Sequence, residues 1–234
     1  MRLDKFVANN TSFSRSEVKA LLKQGRLTVN DTQARSASQA LQSTDIVALD
    51  GRLIEQASDI YVMLHKPPGY VCANHDAEHP TVLDLLANQT HLNPCQKPLQ
   101  IAGRLDKDTT GLLLLTSNGQ WNHRITAPNH ECGKSYRVEC AEPITQECIT
   151  AIESGLILRN ETRATRPAQI TLLSETRAEL SIYEGMYHQV KRMFAACGNR
   201  VVTLHRFAIG PVTLDESLAQ GQARALNLNE IHAF

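Results

Sequence analysis

Residues 101 to 119 constrain the fold most tightly, because a loop crowded with charge, Gly103-Arg104-Leu105-Asp106-Lys107-Asp108, leads straight into the apolar run Leu112-Leu113-Leu114-Leu115. Four consecutive leucines bounded by Gly111 and by the turn residues Asn118-Gly119 predict a short buried strand. A loop anchored to such a strand can hold a carboxylate at a fixed site, with Gly103 and Gly111 permitting sharp backbone turns. Asp106 is the candidate carboxylate.

Three local readings of this segment compete. Asp106, Asp108 and Thr109 can simply shape a turn through side chain to backbone hydrogen bonds. A calcium loop starting at Asp106 would need a bidentate Glu at its twelfth position, where Ser117 stands, and a helix where the leucine run follows. The pattern Asp106-x-Asp108-x-Thr110 also fits the nucleophile motif of a magnesium-dependent phosphatase, whose metal needs later acidic residues. After Asp108 the only Asp is Asp215, so phosphoryl transfer ranks as the second choice of chemistry.

At 234 residues, with 42% hydrophobic and 21% charged residues, the chain has the length of one large domain plus a small one. The segment Met1 to Phe6 lacks the apolar core of a signal peptide, and no apolar run approaches a membrane span, so a cytoplasmic protein is expected. Six cysteines without a C-x-x-C pair read as reduced thiols rather than disulfides. Cys72, His75 and His79 lie close together, but their spacing matches no zinc pattern and Asn74, Asp76 and Pro80 mark a polar loop.

Lys plus Arg and Asp plus Glu balance at 24 each, so net charge does not nominate nucleic acid as a partner. Distribution is more informative. Residues 1 to 26 carry Arg2, Lys5, Arg15, Lys19, Lys23 and Arg26 against Asp4 and Glu17. Leu3, Phe6 and Val7 mark a short amphipathic helix, and Ser14-x-x-Glu17 is a capping box opening a second, which Gly25 ends. Arg15, Lys19 and Lys23 recur at four-residue spacing beside the apolar face of Val18, Leu21 and Leu22, forming a basic stripe. Strands at 27 to 29 and 46 to 49 precede the turns Asn30-Asp31 and Asp50-Gly51. Residues 52 to 54 close this module, and 55 to 59 form a polar linker.

Beyond the linker, strands are expected at 61 to 64, 135 to 140, 170 to 173, 178 to 183 and 201 to 204. Helices are expected near 82 to 87, 145 to 154 and 188 to 197. In the last of these Val190, Met193, Phe194 and Cys197 form a core stripe, with Lys191 and Arg192 off it. Lys191, Arg192, Arg200 and Arg206 occur within 186 to 206 without a single Asp or Glu, so a second basic surface is expected.

The string Gly103-Arg104-Leu105-Asp106-x-x-Thr109-Thr110-Gly111-Leu112-Leu113 resembles the signature of the pseudouridine synthases that modify ribosomal RNA. Lys66-Pro67-Pro68-Gly69, Lys134-Ser135-Tyr136 and Glu184-Gly185-Met186-Tyr187-His188-Gln189-Val190-Lys191-Arg192-Met193 follow the family's order, and the last is most similar to the RsuA-type branch. The resemblance implies an α+β fold with a mixed, mainly antiparallel sheet, and isomerisation of uridine in small-subunit ribosomal RNA without cofactor or metal. It assigns Asp106 as the catalytic residue, Lys191 as its cationic partner with Arg192 the weaker candidate, and Tyr136 as the aromatic under the flipped base. Arg104 and Arg192 are then substrate contacts, Arg104 against the plainer role of a loop salt bridge with Asp108. Met186 stands where the family usually has Arg, which removes a positive donor beside the cleft.

Arg2-Leu3-Asp4-Lys5-Phe6 with Ser14-Arg15-Ser16-Glu17-Val18 resembles the small alpha-L RNA-binding domain at the front of RsuA-type enzymes. On that resemblance residues 1 to 56 bind RNA phosphates through Arg15, Lys19 and Lys23, and residues 61 to 234 form the catalytic domain. The expected partner is ribosomal RNA within a partly assembled small subunit, handled by a monomer. Large-subunit RNA is the alternative substrate, and a non-catalytic RNA-binding assembly factor the alternative function.

Overall fold

A computed structural model describes every residue except 12, 43, 56, 57, 94–96, 128 and 129. Part of the expected linker and Cys95 therefore lie outside the described residues. The chain divides into two compact units, one formed by Met1–Asp59 and Asn93–Pro98, the other by Ile60–Leu92 and Leu99–Phe234.

The first unit opens with α1 (Leu3–Asn10) and α2 (Arg15–Lys23). The capping box expected at Ser14 is formed: its hydroxyl accepts from the Glu17 amide while the Glu17 carboxylate accepts from the Ser14 amide. Leu3, Phe6 and Val7 from α1 and Val18, Leu21 and Leu22 from α2 build one core with Leu27, Val29 and Val47. A four-stranded sheet, β1 (Leu27–Val29), β2 (Thr32–Gln33), β3 (Val47–Leu49) and β4 (Arg52–Leu53), runs in the order β2-β1-β3-β4. Asn30, Asp31, Asp50 and Gly51 all adopt positive φ, the backbone that tight two-residue hairpins require. Asp4 is 1% exposed and carries two guanidinium partners, Arg15 at 2.7 Å and Arg2 at 3.0 Å.

The second unit is built on a nine-stranded sheet. Its strands are β5 (Tyr61–Lys66), β6 (Gln100–Ala102), β7 (Thr110–Thr116), β8 (Lys134–Cys140), β9 (Gln169–Leu172), β10 (Arg177–Ile182), β11 (Val201–Ile209), β12 (Val212–Thr213) and β13 (Ala223–Ala225). The main path runs β13-β5-β7-β11-β8-β10-β9, with β6 on β7 and β12 on β11. The β7 and β11 pair is parallel, and the remaining pairs are antiparallel. The helices are α3 (Val82–Ala87), α4 (Gly119–Thr126), α5 (Gln146–Ser154), α6 (Gln189–Ala196) and α7 (Leu228–His232).

The leucine run is continuous because β7 is covered on both faces. Leu113 and Leu115 join Tyr136, Val190, Met193 and Phe194 on one side, while Leu112 and Leu114 join Trp121, Ile125 and Ile209 on the other. Side chains alternate along a strand, so each leucine meets a different core from its neighbour. Helices α5 and α6 feed the first core, and α4 feeds the second.

The sequence does not predict the short strands β2, β6, β12 and β13 or the helix α7, and two further elements differ from their expected form. Asn118-Gly119 opens α4 rather than closing a turn: the Asn118 side chain accepts from the amides of Gln120 and Trp121 and caps the helix. Strand β11 continues five residues past Leu204, pairing with β8 as far as Ile209, and carries within it the charged Arg206, 1% exposed.

Candidate active site

The loop between β6 and β7 is held from beneath by two buried cations. Arg206 donates from Nε to the Leu112 carbonyl at 2.9 Å and from Nη2 to the Gly103 carbonyl at 3.0 Å, with Nη1 3.4 Å from the Arg104 carbonyl. Lys66, fully buried, donates from Nζ to the carbonyls of Thr109 at 2.8 Å, Pro67 at 3.1 Å and Lys107 at 3.2 Å. Burial pushes the Lys66 ammonium below its ordinary pKa. The Gly69 amide closes the same cradle by donating to the Lys107 carbonyl at 2.8 Å. Both cations are paired with loop carbonyls, so bending the loop would strand a charge away from water. This corrects the expected second basic surface, because Arg206 lies inside the protein.

Gly111 follows for a steric reason. Its φ is +111°, and an added Cβ would lie 2.2 Å from the Arg206 carbonyl oxygen. Only glycine lets β7 start that close to β11.

Asp106 stands at the tip of the cradled loop, its side chain 26% exposed. Lys191, from α6, places Nζ 3.2 Å from Oδ2, and His188 Nε2 lies 3.3 Å from Oδ1. Lys191 also donates to Asp108 at 2.5 Å. Partial burial opposes the Lys191 charge, but the Asp108 hydrogen bond and the Asp106 carboxylate outweigh it and hold the ammonium above its ordinary pKa. The same Lys191 hydrogen bond lowers the Asp108 carboxyl. Asp108 is therefore committed to Lys191 rather than to Arg104, and Arg104 is exposed on the rim.

Asp106 opens into a cavity of about 810 Å³ lined also by Tyr136, His188, Arg104, Arg163 and Arg166. Tyr136 comes from β8 and is 8% exposed. Arg192 is occupied elsewhere, bound to Glu161 at 3.0 Å and to the Tyr187 and Arg159 carbonyls. Met186 lines the cavity, but cationic side chains still border it through Arg163 and Arg166. The sequence singles out neither arginine, since neither belongs to a run with a recognisable period.

The loop before α6 is fixed by Glu184, which is 8% exposed and accepts from the Arg166 amide at 2.8 Å and from Gln189 Nε2 at 3.0 Å. Gln189 Oε1 in turn accepts from the Met186 amide at 2.9 Å. His188 then takes a left-handed conformation, φ 48° and ψ 37°, at the start of α6. In the first unit, Lys19 and Lys23 lie exposed on α2, while Arg15 is tied to Asp4.

A lysine-paired aspartate, a buried tyrosine, Arg104, Arg163 and Arg166 thus line one cavity. Residues 60–196 match the model of the RNA pseudouridylate synthase family, and residues 1–47 match the S4 domain. The chain belongs to the RNA pseudouridylate synthase family. It is similar to proteins named ribosomal small subunit pseudouridine synthase A, at 45% identity in Pasteurella multocida, covering 100% of this chain and 99% of the relative. The corresponding proteins of Vibrio cholerae and Escherichia coli K12 are each 46% identical, covering 99% of this chain and 98% of theirs. A crystal structure of a pseudouridylate synthase, 42% identical, superposes with a TM-score of 0.69 over 100% of this chain and 99% of its own. Among the described residues no helix is long and apolar enough to cross a membrane.

Proposed function

We propose that this protein converts one uridine of small-subunit ribosomal RNA into pseudouridine, with Asp106 as the catalytic carboxylate and no cofactor. The observation that carries the reading is the placement of Asp106 at a cavity mouth, 3.2 Å from Lys191 Nζ, with Tyr136 lining the same cavity. The reaction breaks the bond from N1 of uracil to C1′ of ribose, turns the base, joins C5 to C1′ and moves the C5 proton to N1. Atoms balance without an oxidant or reductant.

A carboxylate serves as nucleophile or base only when ionised, and the Lys191 ammonium complements that charge. Tyr136 receives the extruded uracil, and Arg104 contacts the RNA beside it. Extrusion costs a few kcal/mol of stacking, which phosphate contacts and the shaped cavity offset. Residues 1 to 56 act as the RNA-binding domain through Lys19 and Lys23, with Arg15 contributing beside Asp4, and residues 61 to 234 carry the catalysis. Arg192 serves the fold of its loop instead of touching RNA. The protein works as a cytoplasmic monomer on a partly assembled subunit.

Incubation with uridine-labelled small-subunit RNA, free or partly assembled with ribosomal proteins, followed by nucleoside analysis, tests the reading. Pseudouridine at one position is expected from the wild type and none from Asp106→Asn, with RNA binding retained. Substantial turnover by Asp106→Asn removes Asp106 from the mechanism, and modification confined to large-subunit RNA overturns the substrate. Binding without any turnover would leave an assembly factor.

A further inference from the structure

Tyr187 is the most exposed large apolar side chain in the second unit, at 74%, yet its position is strictly held. Its carbonyl accepts from Arg192 Nη1 at 3.0 Å, and Arg192 is itself anchored on Glu161. One face of its ring stacks on His188, with centroids 3.8 Å apart and planes inclined by 18°. The other face is open. His188 in turn reaches the Asp106 carboxylate at 3.3 Å, so carboxylate, imidazole and phenol form a row leading out of the cavity.

We infer that Tyr187 is a stacking platform for the nucleobase next to the target uridine. The inference rests on the RNA-modifying role proposed above and adds the place where the neighbouring nucleotide is held. When one nucleotide turns into the cavity, its neighbour remains outside at about one nucleotide step. A base on the open face of Tyr187 lies one further stacking distance beyond the phenol, with ring centroids about 4.5–7 Å apart, at the cavity mouth. Arg104, Arg163 and Arg166 line the same cavity; Arg163 and Arg166 each lie 3.6 Å from a carboxylate, of Glu184 and Glu131, so exposed Arg104 is the cation best placed to meet the connecting phosphates. Burying a preordered ring of this kind costs little side-chain entropy, and a base stacked on it gains free energy whatever its identity. Tyr136 and Tyr187 thus divide the work: the buried ring takes the uracil, and the exposed ring keeps its neighbour from following it or stacking back.

The test measures binding and turnover separately, on small-subunit and large-subunit ribosomal RNA in parallel. Tyr187→Ala is expected to raise Kd and KM about 5- to 150-fold, the range for removal of one base–aromatic stack, while Tyr187→Phe and Tyr187→Trp stay close to wild type. Because Trp121 is fully buried, the indole of Tyr187→Trp provides an accessible fluorescence signal. RNA is expected to shield it from acrylamide. Unchanged affinity of Tyr187→Ala on both RNAs overturns the inference, as does unchanged quenching of Tyr187→Trp. A loss in Tyr187→Phe equal to that in Tyr187→Ala also overturns it, assigning the effect to the hydroxyl. Wild-type turnover on each RNA reports on the substrate assignment by itself, so the two readings fail separately.

Discussion

Lys191 serves two carboxylates, and substitution can separate them. Lys191→Met removes a charge-assisted interaction with Asp106 worth about 1.5–3 kcal/mol, so kcat/KM should fall roughly 10- to 150-fold. Asp108 is 73% exposed, where an ion pair contributes little, and Asp108→Asn should reduce kcat/KM by less than about fivefold. Equal losses in steady-state kinetics would mean that Lys191 acts through Asp108. In the first unit Asp4 provides a pH-dependent counterpart. Its hydrogen bonds from Arg15 and then Arg2 outweigh burial and lower its pKa from 3.8 to about 2. A carboxyl depressed on folding contributes stability that is complete above the unfolded value and lost as pH falls through the folded one. Amide exchange in α1 and α2, corrected for intrinsic rates, should therefore accelerate between about pH 4 and about pH 2. In Asp4→Asn that acid dependence should shrink to the part carried by Glu17, whose carboxyl is lowered by its hydrogen bonds with Ser14 in the α2 capping box, with weaker protection already present at neutral pH.

The parallel pairing of β7 with β11 leaves no room for a side chain at Gly111, where a Cβ would meet backbone that cannot turn aside. Gly111→Ala combines positive φ with overpacking, and a loss of about 3 kcal/mol or more is expected from those two costs. A chemical denaturation midpoint close to wild type would show that β11 yields. The same pair of strands marks what the sequence reveals and what it hides. β7 is legible because four leucines have only one economical environment, a strand covered on both faces. β11 looks shorter in the sequence than it is because Arg206 resembles a surface residue, and only a set of carbonyls from a loop a hundred residues earlier makes its burial tolerable. α4 is hidden for a related reason: only Trp121 and Ile125 mark its buried side, too few to show a helical period. For the site, Asp106, Tyr136 and Lys191 are legible through resemblance to a family motif. His188 lies within a quoted motif string without standing out there as a site residue, and Arg163 and Arg166 reach the cavity by folding alone.

Across the whole chain, a formal charge of zero conceals cations with very different freedom. Arg206 and Lys66 are inside, Arg192 and Arg15 hold carboxylates, and Lys19 and Lys23 stand exposed on one helix. Counterion release follows only from charges that reach phosphate, so the sequence count of basic residues overstates the RNA-binding surface. Replacing Lys19 and Lys23 by alanine should weaken binding to ribosomal RNA and make log K against log salt shallower by about 1.5, from roughly 0.7–0.9 for each phosphate no longer neutralised. Because neither residue belongs to the unit that holds Asp106, turnover at saturating RNA should be retained. Arg192→Ala should leave the salt slope unchanged, since its guanidinium is held by Glu161 and two carbonyls. Titrations at several salt concentrations distinguish the two variants. An unchanged slope for the double lysine variant would reduce the stripe on α2 to a solvated helix face, and a shallower slope for Arg192→Ala would return that residue to the RNA-binding surface.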